Sequence, residues 1–169
     1  MKKLVLLLIS ITLISCGGDK KKEVIENVEV AKDKYSIILD GVYEKDDSIA
    51  VFYQVDGYFK YDKPVSLKIK GSTLAQRFTI DLPQDIAIEN LSIVASTNKT
   101  QDFITVKNIS LLNNNLSIFN GENYKHSEYL LTDNSFSWDA KNIRYNLNHN
   151  NKYPPSFSGN DKLISLLAK

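Results

Sequence analysis

Cysteine is all but missing: one residue in 169, at Cys16. A lone thiol leaves no disulfide framework within the chain, so any core must hold by burial alone. Histidine occurs twice, at His126 and His149, with no ligand spacing between them, and zinc needs clustered His, Cys or carboxylates. A Gly-rich phosphate loop and a nucleophile elbow are both lacking. These absences argue for a non-enzyme with no cofactor and no metal. Excess charge is lacking too. With 21 basic and 20 acidic side chains the formal charge is +1, which gives no electrostatic footprint for nucleic acid. Apolar runs long enough to span a bilayer, about 20 residues, are absent; the one sustained run, residues 4–14, is little more than half that.

That run is nevertheless the most telling segment present. Met1-Lys2-Lys3 supplies a basic start, the apolar stretch follows, and Ser15 stands as the small residue before Cys16. This is the layout of a secretory signal peptide. The ending Leu13-Ile14-Ser15-Cys16 resembles the lipobox of bacterial lipoproteins. The resemblance implies cleavage between Ser15 and Cys16, a diacylglyceryl group on the Cys16 thiol and a third acyl chain on its amine. Each buried methylene contributes about 0.8 kcal/mol, so several chains anchor firmly where one binds marginally. Without Lys2 and Lys3 the 21 basic groups become 19 against 20 acids, a formal charge of −1.

Residues 16–33 read as the lipidated N-terminus and a tether, because Gly17-Gly18-Asp19-Lys20-Lys21-Lys22-Glu23 has no apolar residue with which to order itself. Sorting signals of lipoproteins place aspartate after the cysteine for inner-membrane retention. Gly17 stands there instead, which implies the outer membrane, and the charged stretch beyond it resembles the surface-export signals of Bacteroidetes lipoproteins.

From residue 34 to 169 the pattern is period two, as in half-buried strands. Tyr35, Ile37 and Leu39 alternate with Ser36, Ile38 and Asp40. The same holds for Ile49, Val51, Tyr53 and Val55, for Val65, Leu67 and Ile69, and for Phe78, Ile80 and Leu82. Leu91, Ile93 and Ala95 form a further set, and Leu116 to Phe119 another strand. Turn signals at residues 44–47, 56–57, 71–72, 82–83 and 97–99 separate them. Within residues 103–112 the phase slips, from Ile104 and Val106 to Ile109 and Leu111, which predicts a β-bulge at Lys107-Asn108. Phe136 and Trp138, then Ile143, Tyr145 and Leu147, share faces of two later strands; Tyr153-Pro154-Pro155 is extended; Asn160 or Asp161 is placed to cap a short C-terminal helix. The expected fold is one all-β domain, an antiparallel jelly-roll-like β-sandwich ending in that helix. Sixteen asparagines, with runs at 113–115 and 148–151, are accounted for by turns, since Asn tolerates left-handed backbone.

Aromatics are the candidate ligand contacts. Tyr58 and Tyr61 follow the Asp56-Gly57 turn, and Trp138 is the only tryptophan. Exposed rings of this kind stack on sugar faces while Asn, Asp and Arg bond the hydroxyls. Trp138 is read first as a core residue and second as a platform. Asp46-Asp47 is read as a polar hairpin turn before a calcium loop, and Asp47-Ser48-Ile49 matches a short O-glycosylation pattern of Bacteroidetes proteins.

The stretch from Asp47 to Ser110, through Phe78-Thr79-Ile80-Asp81-Leu82-Pro83 and Phe103-Ile104-Thr105-Val106, resembles a β-sandwich module found in Bacteroidetes lipoproteins and beside some bacterial glycosyltransferases. It departs from that module by one extra residue before Leu82-Pro83 and by lacking an arginine in the strand Leu91-Ser92-Ile93. The functional expectation is a lipid-anchored, monomeric, non-catalytic sandwich at the outer membrane that binds a glycan or an envelope protein. The alternative is an envelope assembly or maintenance accessory with no small-molecule ligand.

Overall fold

Alternation of apolar and polar side chains along the chain gives each strand one face to bury, and two such sheets laid face to face bury both. The computed structural model of the protein describes residues 33–168. The signal peptide, Ser15, Cys16 and the proposed tether up to residue 32 lie outside the described residues. Within them, strands form two antiparallel six-stranded sheets. The first contains β1 (Tyr35–Tyr43), β5 (Ser72–Asp81), β7 (Phe103–Asn113), β8 (Leu116–Phe119), β10 (Phe136–Asp139) and β11 (Arg144–Leu147). Its order is β10-β11-β7-β1-β5, with β8 alongside β7. The second contains β2 (Asp47–Val55), β3 (Tyr58–Phe59), β4 (Val65–Ile69), β6 (Asn90–Val94), β9 (Leu130–Thr132) and β12 (Ser156–Gly159). Its order is β3-β2-β6-β12-β9, with β4 on β2. The fold is an all-β antiparallel sandwich with one short helix, α1 (Asp161–Leu167).

The core lies between the sheets. Ile37, Leu39 and Tyr43 from β1 meet Ile49 and Val51 from β2, Ile93 from β6 and Ile104, Val106 and Leu111 from β7, all essentially buried. Asn160 caps α1 as expected, its side chain accepting from the Lys162 and Leu163 amides at 3.0 and 3.2 Å. Leu163 then docks the helix into the core.

The bulge falls where the phase slip places it. Asp40 pairs with Asn108 and the next residue, Gly41, with Val106, so Lys107 is left over. A Cβ on Gly41 would lie 2.4 Å from the Thr105 carbonyl oxygen, so only glycine lets β1 approach the bulge. Beyond the bulge Ile109 and Leu111 face the core while Asn108 and Ser110 turn to the outer face.

Residues 44–47 are not the hairpin turn expected. β1 and β2 belong to different sheets, and Glu44-Lys45-Asp46 arches between them. Alternation shows that two segments are strands; it does not show whether they pair or face each other. A second arch at Lys70-Gly71 returns the chain to the first sheet. The arches touch: a Cβ on Gly71 would lie 2.6 Å from the Lys45 carbonyl carbon, and the Gly71 amide donates to Asp46 at 2.8 Å.

In β4 the expected register holds, with Ser66 and Lys68 outward, but Leu67 is only half-buried and Ile69 carries the full burial. Strand β4 lies at the sheet margin, so the partner sheet covers it incompletely. Leu67→Ala should therefore cost about 1–2 kcal/mol, below the ~2–5 kcal/mol of a fully enclosed leucine, and Lys68→Ala under about 0.5 kcal/mol. Urea midpoints of the two variants check this; a larger loss from Lys68 would reverse the assigned face.

Candidate ligand-binding face

The Asp56-Gly57 turn has positive φ at both residues, 55° and 78°, as a tight two-residue hairpin requires. It folds β3 back along the end of β2, pairing Val55 with Tyr58 and Gln54 with Phe59. The chain then doubles back, Lys60 donating its amide to the Tyr53 carbonyl at 2.9 Å. Tyr61 is thereby laid on the outer face of the second sheet. Its ring stacks on Phe59 (centroids 5.5 Å apart, 23° between planes) and leans on outward-facing Phe52 at 5.3 Å. The ring is supported on one side and still 66% exposed.

The three aromatics singled out from sequence do not form one site. Tyr58 is 75% exposed, does not line the groove beside Tyr61, and makes no ring contact among the described residues. Trp138 belongs to the other sheet, where it packs edge-on to Tyr124 at 5.6 Å and Tyr145 at 5.0 Å. The core reading of Trp138 is corrected: among the described residues β10 ends its sheet, so the indole is covered on one side only and 48% of the residue stays exposed.

Beside Tyr61 runs a trough of about 380 Å³. Its floor is two cross-strand rows of mostly small side chains, Ala50-Val94-Ser156 and Phe52-Ser92-Ser158. Small residues leave depth; Tyr61 forms one wall, and Thr97, Lys152 and Pro154 the other. The far wall is built by hydrogen bonds that sequence spacing does not reveal. Asp133 accepts from the Ser135 amide at 2.9 Å and from the Ser156 amide and hydroxyl, both at 3.0 Å. Tyr153 donates its hydroxyl to the Thr97 carbonyl at 2.5 Å. An aromatic face over a shallow floor of hydroxyls suits a ring that is apolar on one face and polar at its edges.

In two other outer cavities the polar side chains already hydrogen-bond to the protein itself. The larger, about 570 Å³, includes Asp46 and Asp47. Asp47 Oδ1 accepts from the Ser48, Thr97 and Asn98 amides at 2.7, 2.8 and 3.0 Å, and Oδ2 from the Ser96 hydroxyl at 2.6 Å. Lys70 and the Gly71 amide occupy Asp46, and the Lys70 hydrogen bond holds its carboxyl below the usual range. Protein donors thus occupy the oxygens that a calcium loop would use, and no three His, Cys, Asp or Glu side chains converge among the described residues. Ser48, the hydroxyl of the glycosylation pattern, is half-buried with its Oγ 2.5 Å from Thr97 Oγ1.

The second cavity, about 410 Å³, lies over the row Arg77-Asp40-Asn108 that the bulge creates. Arg77 grips Asp40 with two bonds of 2.6 and 2.8 Å, which hold that carboxyl below its ordinary value against the opposing effect of burial. Asn108 donates to Asp40 at 3.1 Å, Ser110 to Asn108 at 2.7 Å, and the Gly121 amide to Ser110 at 3.0 Å. Sequence reasoning missed this network, although the phase slip that turned Asn108 outward was its signal.

The histidines are apart in function as in sequence. His126, in a 3-10 segment (Glu122–Glu128), is fully buried against Phe157, with Nε2 3.3 Å from the Tyr145 hydroxyl; burial pushes its pKa down. His149 Nε2 lies 2.9 Å from the Gln101 carbonyl oxygen. Compared with known proteins, the chain matches no family model, and it has no significant match among curated proteins or solved structures. The architecture defines an all-β sandwich, and the trough beside Tyr61 is an open surface on its second sheet that carries an exposed aromatic ring.

Proposed function

We propose that the protein is a lipid-anchored, non-catalytic β-sandwich of the bacterial cell envelope that binds glycan on the outer face of its second sheet. The observation that carries the reading is the Tyr61 trough, an open aromatic face set over serines and supported from behind by Phe59 and Phe52. The anchor rests on the sequence Leu13-Ile14-Ser15-Cys16. Anchorage would hold a weakly binding domain close to surface polysaccharide, where high local concentration compensates for modest affinity.

The test is a glycan array probed with the full chain in detergent. Tyr61→Ala should weaken any binding about tenfold or more, the size expected for an aromatic anchor, while Tyr58→Ala should leave it nearly unchanged. Retained binding in Tyr61→Ala would move the site elsewhere. A blank array with a membrane protein captured by cross-linking would favour the accessory reading.

Cys16→Ser should leave an unprocessed precursor that partitions into the aqueous phase in detergent separation. Intact mass reads the retained leader and the missing acyl groups. A processed, detergent-phase product from that variant would overturn the anchor.

A further inference from the structure

We infer that the trough beside Tyr61 selects acidic glycans, and that Lys152 receives the carboxylate of a uronic-acid sugar whose ring lies on Tyr61. The inference rests on the proposed glycan-binding reading and specifies its ligand class.

Lys152 is the one charged side chain lining the trough among the described residues. Its side chain is 59% exposed, and its nearest acid is Asp133, whose Oδ2 lies 3.6 Å from the ammonium. That is too long for a direct hydrogen bond. Asp133 is already committed: the Ser135 amide takes Oδ1, and the amide and hydroxyl of Ser156 take Oδ2. Asp133 is itself only 12% exposed, so it sits behind the wall rather than in the opening. The carboxylate thus anchors the wall loop, and the ammonium, paired with it at 3.6 Å, keeps more than half of its side chain open to a ligand. A second cation stands near the trough without lining it. Lys99 lies 4.7 Å from the centroid of the Tyr153 ring, and the Tyr153 hydroxyl is bonded to the Thr97 carbonyl.

The two walls therefore differ in kind. One offers an aromatic face and no charge; the other offers one cation, Lys152, backed by the largely buried Asp133. A neutral sugar satisfies the first wall alone. A uronic acid satisfies both, with the apolar face of its ring on Tyr61 and its carboxylate bonded by the Lys152 ammonium, a charge-assisted contact about twice as strong as a neutral one. Because the contact is exposed, salt should screen it.

The experiment uses the full chain in detergent and measures affinity for polygalacturonate, alginate and hyaluronan, each beside its methyl-esterified form. Esterification removes the charge and keeps the ring. At least one acid form should bind at least tenfold tighter than its ester, and the difference should shrink as salt rises. Lys152→Gln should abolish the preference, bringing the affinity for the acid down to that for the ester. Equal affinity for acid and ester, or a preference that survives Lys152→Gln, overturns the inference. Tyr61-dependent binding of neutral glycans alone would overturn it and leave the glycan reading standing. No binding by any polymer, charged or neutral, would overturn both.

Discussion

Phe157→Ala should lower the stability of the domain by about 3–5 kcal/mol, a large part of the ~5–15 kcal/mol that holds a domain of this size. Phe157 has no exposed surface. It sits on β12, which lies between β6 and β9 in the second sheet, and its ring reaches across to the first sheet. Its centroid is 4.8 Å from Phe136, 5.6 Å from Tyr145 and 6.0 Å from His126. Truncation empties a space bounded by rings from both sheets, and rings of this size do not collapse to fill it. It also loosens the site of His126, whose Nδ1 already has no partner. A urea titration reads the loss as a fall in midpoint. Trp138→Ala, at the half-exposed edge of the same aromatic cluster, should cost clearly less. Equal losses would mean that the edge strand carries the core.

Asp47→Ala should cost about 3 kcal/mol, because one carboxylate serves four donors and hydrogen bonds to a charged acceptor contribute about 1.5–3 kcal/mol each before water replaces any of them. Of those donors, Ser96 is fully buried, and its hydroxyl would be left with only the long contacts to the Asn98 carbonyl and amide at 3.4 and 3.3 Å. The Thr97 amide is exposed enough for water to take over, which is why the total falls well below a simple sum. The loss should reach the ligand face as well. Asp47 holds the loop that carries Thr97, so the affinity of the proposed glycan trough should fall in a variant that changes no trough residue. Asp47→Asn keeps one acceptor and should lie between. Asp46→Ala should cost less than Asp47→Ala, since the Asp46–Lys70 pair is open to solvent on both sides. The melting temperatures of the three variants, with binding measured below the lowest of them, separate these outcomes. A wild-type melting curve for Asp47→Ala would remove the clamp from the account.

What was legible depended on whether the signal was local. From Tyr35 to Phe119 the alternation is local, and six of the eight strands there follow it; the two-residue β3 is too short to show it, and β8 exposes Leu116 while burying Phe119. The bulge at Lys107 is local too, a change of phase within one strand. Strand β12 has the sequence Ser-Phe-Ser-Gly, with one large apolar residue and two prolines just before it. Its strand character comes from β6 and β9 on either side, and that pairing is absent from the string. Asp47 presents the same difficulty. Its neighbours suggest a turn, while three of its four donors lie about fifty residues away. Tyr61 could be found because it follows a recognisable turn. Its distinction from Tyr58 could not, because it depends on Phe52 lying beneath one ring and not the other. Trp138 was misjudged because edge position is a property of the whole sheet.

Among the described residues strand β1 pairs only with segments far along the chain: Ser36 stands opposite both Asp81 and Leu112. The segment Tyr35-Ser36-Ile37-Ile38-Leu39 therefore leaves the ribosome, or a denaturant, long before its partners are in place. Closing loops of that span costs entropy that local contacts do not repay, so refolding should run in the slow range of sandwiches, milliseconds to seconds. During that interval a short β-prone, uncharged stretch stays open to other chains. The first of the described strands to appear is thus among the last to be protected, and yield on refolding should fall with protein concentration more steeply than native stability alone would suggest.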